Sequence, residues 1–166
     1  MFQSKEEFLQ SWKYEAEATK KIYSKLTDES LKQQITSENW DLGRLAWHIV
    51  TSIKNIGSQS GLNFDAPAEE LPVPTSAEFI VESYQKSSNA FVEAVSSEWT
   101  DQTLSAVRNI FGREMSIGTL LVMLLQHQIH HRGQMTVLMR QAGLEVPGLY
   151  GPSKEEWERM IEAQNK

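Results

Sequence analysis

"SIGTLLVMLLQHQIHHRGQMTVLMRQAG", Ser116 to Gly143, is the longest uninterrupted helical pattern in the chain. Ser116 can cap its start and Gly143 can end it. A helix of about 26 residues would span roughly 39 Å. At ~100° per residue, Ile117, Leu120, Leu121, Leu124, Met135 and Leu138 form one apolar arc. His131 falls near the centre of that arc, and His127 lies ~40° away, one turn earlier. His130 lies ~100° from His131, toward solvent or a neighbouring helix. Three of the chain's 4 histidines thus sit within one turn of a helix that should be building a core.

Working outward, the same two signals recur. Ser4 and Glu7 have capping-box spacing, and apolar residues from Phe8 to Leu26 then repeat at helical intervals. A second helix starts near Asp41, carries Leu42, Leu45, Ile49, Ile53 and Ile56 on one side, and ends before Gly61. Residues 61–74, "GLNFDAPAEELPVP", hold prolines and no periodicity, which reads as a long connection across the body of the domain. Thr75 and Glu78 open a third helix reaching about Ser97. Between Thr100 and Met115 the pattern fits either two short extended pieces joined through Gly112 or an irregular loop. Ser153 and Glu156 open a short last helix. The expectation is an all-α protein: a four-helix bundle with one long crossover connection, in a single domain over 1–166.

The chain has 166 residues, 40% hydrophobic and 23% charged, ordinary for a globular domain. A net charge of −6 argues against a binder of nucleic-acid backbones, which needs a basic face. Cys 0 removes disulfides, thiolate ligands and thiol nucleophiles from consideration. The opening "MFQSKEEFLQ" lacks an apolar signal region, and no run reaches the ~20 apolar residues of a membrane span. These features lead us to expect a cytoplasmic protein with no nucleic acid or membrane partner.

Two neutral imidazoles one turn apart on an inward face can hold one metal ion. The competing explanation is that each buried ring bonds to a neighbouring side chain or backbone group. A metal needs a third ligand. His48 lies in a polar stripe with Arg44, Ser52, Asn55 and Gln59 at the border of the second helix's apolar face. Spacing leaves Glu38, Asp41 and Glu82 open as well. A zincin-type protease is excluded, because Gln128 follows His127 where that motif needs a glutamate base. The tryptophans Trp12, Trp40, Trp47, Trp99 and Trp157 read as core or dimer contacts. No role follows from spacing for "LYGPSKEEW", Leu149 to Trp157.

The stretches "LGRLAWHIV" (Leu42 to Val50), "HQIHHRGQM" (His127 to Met135) and "LYGPSKEEW" together resemble the DinB/YfiT-like family of bacterial four-helix-bundle proteins. The opening "WKYEAEATKKI" is also similar to that family's first helix. The resemblance implies a metal triad of one histidine on the second helix and a pair on the fourth, here His48, His127 and His131. It implies a homodimer and a divalent metal ion such as zinc or nickel. It further implies, among characterised relatives, S-transferases and isomerases that use a small-molecule thiol.

Three histidine ligands leave a coordination position open, as catalytic rather than structural sites do. Water acidified there to a pKa of about 7 would make a hydrolase. A low-molecular-weight thiol acidified there would make an S-transferase, and a chain without cysteine suits a sulfur that arrives with the cosubstrate. No carboxylate base is evident beside the histidines in sequence, which disfavours hydrolysis. The rival from another class is a non-catalytic metal- or ligand-binding bundle.

Overall fold

The structure, a computed structural model, describes residues 2–165. Four long helices, α1 (Lys5–Tyr23), α2 (Leu42–Gly57), α3 (Ala77–Glu98) and α4 (Ile117–Gln141), form the bundle. A two-stranded hairpin, β1 (Val107–Ile110) and β2 (Arg113–Ser116), precedes α4, and α5 (Lys154–Gln164) follows it. Helices α1 and α2 each pack against both α3 and α4.

The helix starts follow the side chains that satisfy free N–H groups. Ser4 Oγ accepts Glu7 N at 3.1 Å, Asp41 Oδ1 accepts Arg44 N at 2.7 Å, and Ser116 Oγ accepts Thr119 N at 3.2 Å. Ser153 and Glu156 complete a reciprocal capping box. Helix α3 is capped by Ser76, one residue after the expected Thr75. The shift has a cause: Asp28 Oδ1 accepts the Ala77 N–H at 2.7 Å and pins the first turn from outside. Helix α4 ends where Gly143 takes a φ of 74°, with Leu144 N bonded to Met139 O at 2.9 Å.

The ambiguous segment before α4 is the hairpin. Phe111 and Gly112 adopt φ of 49° and 79°, the paired left-handed conformation of a two-residue type I′ turn. Asn109 Oδ1 closes it by accepting Gly112 N at 3.0 Å.

At one level of the core, Trp12 and Phe91 meet edge to face at 4.9 Å between centroids, and the Trp12 indole donates to Ser88 Oγ at 2.9 Å. At the level of the histidines the core becomes polar. Arg132, 1% exposed, donates to Glu15 O at 2.7 Å and Thr19 Oγ1 at 3.0 Å, and pairs with the Glu15 carboxylate. It also donates to the Tyr150 hydroxyl, which in turn donates to Glu15 Oε2 at 2.7 Å. Gln128, also 1% exposed, accepts from the Tyr84 hydroxyl at 3.0 Å. The expected centre of the α4 arc is therefore corrected. With Gln128 and Arg132 included, the buried face is wider, and His127 and His131 lie along its edge, half-buried.

Those bonds assign a place to "LYGPSKEEW": Tyr150 anchors the segment onto α1 and α4, and Tyr14 donates to Leu149 O at 3.0 Å. Three tryptophans, Trp12, Trp47 and Trp99, are buried, whereas Trp40 and Trp157 are exposed. No helix among the described residues is long and apolar enough to cross a membrane.

Removing one partner of a buried, hydrogen-bonded ion pair leaves the other charge uncompensated. Arg132→Ala is expected to lower the unfolding free energy by about 3–5 kcal/mol in urea titrations, against about 1–2 kcal/mol for Tyr150→Phe.

Candidate metal centre

Helices α2 and α4 bring the three candidate histidines to one point. Asp41 sets the start of α2, and His48 lies nearly two turns in, on the side that faces α4. His127 and His131 come from successive turns of α4. One ring nitrogen from each of His48, His127 and His131 lies within 4.8 Å of the other two. Ring centroids are 4.5 Å apart for His127 and His131, 4.7 Å for His48 and His131, and 4.9 Å for His48 and His127. His48 is buried and the other two are half-buried. His130 is exposed and outside the cluster, as its place on the wheel requires.

The far sides of the rings show which nitrogens face the centre. His131 Nδ1 lies 2.7 Å from Gln134 Oε1, an amide oxygen that can only accept, so Nδ1 carries the proton and Nε2 the lone pair. His48 Nδ1 is buried with no hydrogen-bond partner, and its nearest charged neighbour is Glu69 Oε1 at 3.5 Å. Asn55 Nδ2 holds the other Glu69 oxygen at 2.5 Å. A carboxylate at that edge favours the proton on Nδ1, which again turns the Nε2 lone pair inward. His48 Nε2 and His127 Nε2 are 2.9 Å apart. Two ligands of one tetrahedral ion, each about 2.0–2.1 Å from it, stand about 3.3 Å apart. Passing from this imidazole hydrogen bond to shared coordination needs a small separation and a shift of the shared proton from His127 Nε2 to its Nδ1.

The three rings are kept neutral, the state that ligates. Burial, then the neighbouring His131 and His48, push the His127 pKa down to about 4. Burial, then His131, lowers that of His48, with Glu69 acting in the opposite direction. Burial also lowers that of His131, against the Gln134 bond. The donor set is three neutral imidazoles, which suits zinc, nickel, copper or iron(II) and disfavours calcium and magnesium.

The acidic residues left open by spacing are not in the cluster. Asp41 is the α2 cap, Glu82 is exposed and 3.5 Å from Lys86 Nζ, and Glu38 lines a cavity beside His131. Three site residues escaped the sequence reading: Gln134, three positions beyond His131, Glu69 and Trp40. Glu69 sits in an aperiodic connection, where nothing local marks it. Trp40, with its ring 5.1 Å from that of His48 and stacked 6.3 Å from that of His131, did leave a signal. It directly precedes the Asp41 cap, and Leu45, at the staple position, lines the same cavity. Among the described residues no carboxylate joins the cluster: Glu69 stands at the outer, Nδ1 edge of His48, and Glu38 shares a cavity lining with His131.

The model of the DinB family matches residues 1–166, the whole chain. The chain belongs to the DinB family. The uncharacterised protein YrdA of Bacillus subtilis (strain 168) is 62% identical over 157 residues, covering 95% of this chain and 94% of that protein. The crystal structure of a DinB-like protein from Bacillus cereus ATCC 10987 superposes with a TM-score of 0.88 at 56% identity, over 90% of this chain and 100% of that one. The DinB-like YjoA of B. subtilis shares the fold, with a TM-score of 0.68 at 18% identity, over 87% of this chain and 97% of that one. A DinB bundle with a histidine triad that could hold a metal ion is thus established.

If metal binds the folded state alone, saturating zinc raises the melting temperature. That rise is expected to vanish in His131→Ala and to persist in His130→Ala, by calorimetry with and without zinc. Glu69→Ala should weaken zinc affinity about 10- to 100-fold, measured by competition with a chelating dye.

The metal-free protein should also respond to acid. A histidine whose folded pKa lies below its unfolded value of about 6.5 binds its proton less readily when folded. Stability present above pH 6.5 is lost as the pH falls toward the folded value, about 4 for His127. His127→Leu should flatten that part of the pH–stability curve in urea titrations.

Proposed function

We propose that this DinB protein is a divalent-metal enzyme that activates a low-molecular-weight thiol for transfer to an electrophile. The observation that carries the proposal is the convergence of three neutral imidazoles from two helices, half-open to solvent, in a chain with Cys 0. Zinc or nickel is the ion this donor set would hold, with a position left for an exogenous ligand. The ion would lower the pKa of a thiol bound there, a task that other proteins assign to a cationic neighbour.

The chain's own residues then have separate tasks. His48, His127 and His131 hold the ion. Gln134 and Glu69 keep the protons of His131 and His48 on Nδ1 and so fix both rings. Trp40 covers the His48 and His131 rings and limits water on that side. In the reaction the thiol would give up its proton to solvent, its sulfur would form the new bond to the electrophile, and the leaving group would depart with the displaced electron pair.

A metal-dependent hydrolase is the second reading, and Glu38 is the observation in its favour. Its carboxylate lines the cavity beside His131, where a base would be needed. Glu69 does not serve that reading, because it addresses the Nδ1 edge of His48, opposite Nε2.

Cobalt-substituted protein separates the two. Bacillithiol, mycothiol, glutathione or cysteine should produce a sulfur-to-cobalt charge-transfer band in the near ultraviolet. No response to any of the four removes the transferase reading. Thiol-independent turnover of esters or amides, with a rate rising through a pKa near 7, would establish the hydrolase instead.

A further inference from the structure

We infer that the cavity bounded by Trp40 and Leu138 is the binding site for the electrophilic substrate, and that it selects a small molecule with an apolar, uncharged or cationic body. The inference rests on the metal-centre reading above and adds to it the class of substrate.

The cavity encloses about 440 Å³, within the usual range of small-molecule sites. His131 belongs both to its lining and to the histidine triad, so a molecule seated there lies against the ring of one of the three histidines. Leu45 and Leu138, 5% and 3% exposed, form the apolar floor. At the mouth, Ile35, Trp40 and Val137 are 62%, 47% and 51% exposed, a concentration of large apolar side chains that water alone would disfavour.

The polar lining is sparse and largely committed. Gln134 Oε1 is held by His131, and Asn39 Oδ1 accepts from the Thr36 hydroxyl at 2.8 Å. The two side-chain amides keep their N–H groups, Glu38 is the one charged side chain in the lining, and no lysine or arginine lines the cavity among the described residues. Along its body an anionic substrate would meet the Glu38 carboxylate, with no lysine or arginine in the lining to offset it. The thiols named above carry carboxylates or polar sugars, so this cavity suits the electrophile better than the thiol.

Hydroxamates test this without turnover, because their head group binds metals and their tails can be varied. Acetohydroxamate, hexanohydroxamate and the anionic half-hydroxamate of succinate would be titrated against cobalt-loaded protein and followed in the visible spectrum. Each methylene moved from water into an apolar site strengthens binding about fourfold. Hexanohydroxamate is expected to bind at least about tenfold tighter than acetohydroxamate, with the succinate derivative the weakest of the three. In Val137→Trp, which fills the mouth, the hexano-to-aceto ratio should fall toward one. In Glu38→Lys the penalty on the anionic tail should disappear.

Equal affinities for all tails would overturn the substrate pocket while leaving the metal centre intact. A ratio unchanged by Val137→Trp would also overturn it, by placing the tail elsewhere. A second copy of the chain seated over the cavity would make the tail preference depend on protein concentration, and that result would overturn it too. If acetohydroxamate leaves the cobalt spectrum unaltered, the metal reading fails and the pocket assignment falls with it.

Discussion

Arg132 carries a full positive charge into the seam between α1 and α4 at 1% exposure. Such a charge is tolerable only when it is paired and hydrogen-bonded, and here its two terminal nitrogens go to Glu15, Thr19 and Tyr150, while Nε is left without a partner. The arrangement determines more than the seam. Along one stretch of α4, His127 meets His48 on α2, Gln128 meets Tyr84 on α3, and Arg132 meets Glu15 on α1. Three polar contacts to three different helices fix the rotation of α4 about its axis. Apolar packing alone would leave that rotation loosely set, since a leucine arc tolerates small turns. Once Arg132 meets Glu15 and Gln128 meets Tyr84, the side of α4 facing α2 is the one that bears His127 and His131.

The two charge arrangements are opposites, and each suits its task. The Arg132 network is ionised and closed, apart from its exposed tyrosine ring. The histidine cluster is neutral and half-open. Burial first, and then repulsion from neighbouring imidazoles, lowers the pKa values of His48, His127 and His131. A ligand set held uncharged releases no net proton when a cation arrives; the proton between His48 and His127 has only to shift to the outer nitrogen of its ring. The neighbouring cavity extends the same economy of charge, with apolar walls and a single free carboxylate.

Much of this was legible from the chain. Local chemistry marks the helix starts, because a serine or aspartate that caps a helix does so through its own side chain. The His127 and His131 pair is equally local, one turn apart on one helix. What was lost depended on distance. Drawing the α4 arc through apolar residues alone excluded Gln128 and Arg132, whose burial is decided by Tyr84 and Glu15 from other helices. Glu69 reaches His48 from an aperiodic connection and has no periodicity to betray it. His48 gained its assignment from the family resemblance, whereas its own stripe of polar neighbours pointed to the surface. Trp40 was readable, since its place before the Asp41 cap is where a staple residue belongs, but spread among five tryptophans it was taken for packing.

The contacts that define the centre also bear on how the chain reaches it. His48 and His127 are separated by 79 positions, and Glu15 and Arg132 by 117. Bringing such distant segments together requires loop closure that helix formation and hairpin closure do not. In a zinc finger the ligands lie close in sequence, and the ion can organise an otherwise unfolded peptide. Here the i, i+4 pair on α4 is the only part of the donor set that an unfolded chain could present together. The third ligand arrives with α2, after the bundle has closed. An ion held by this triad would therefore be a latecomer to folding: it would slow the escape from the native state and leave the search for that state to the apolar core.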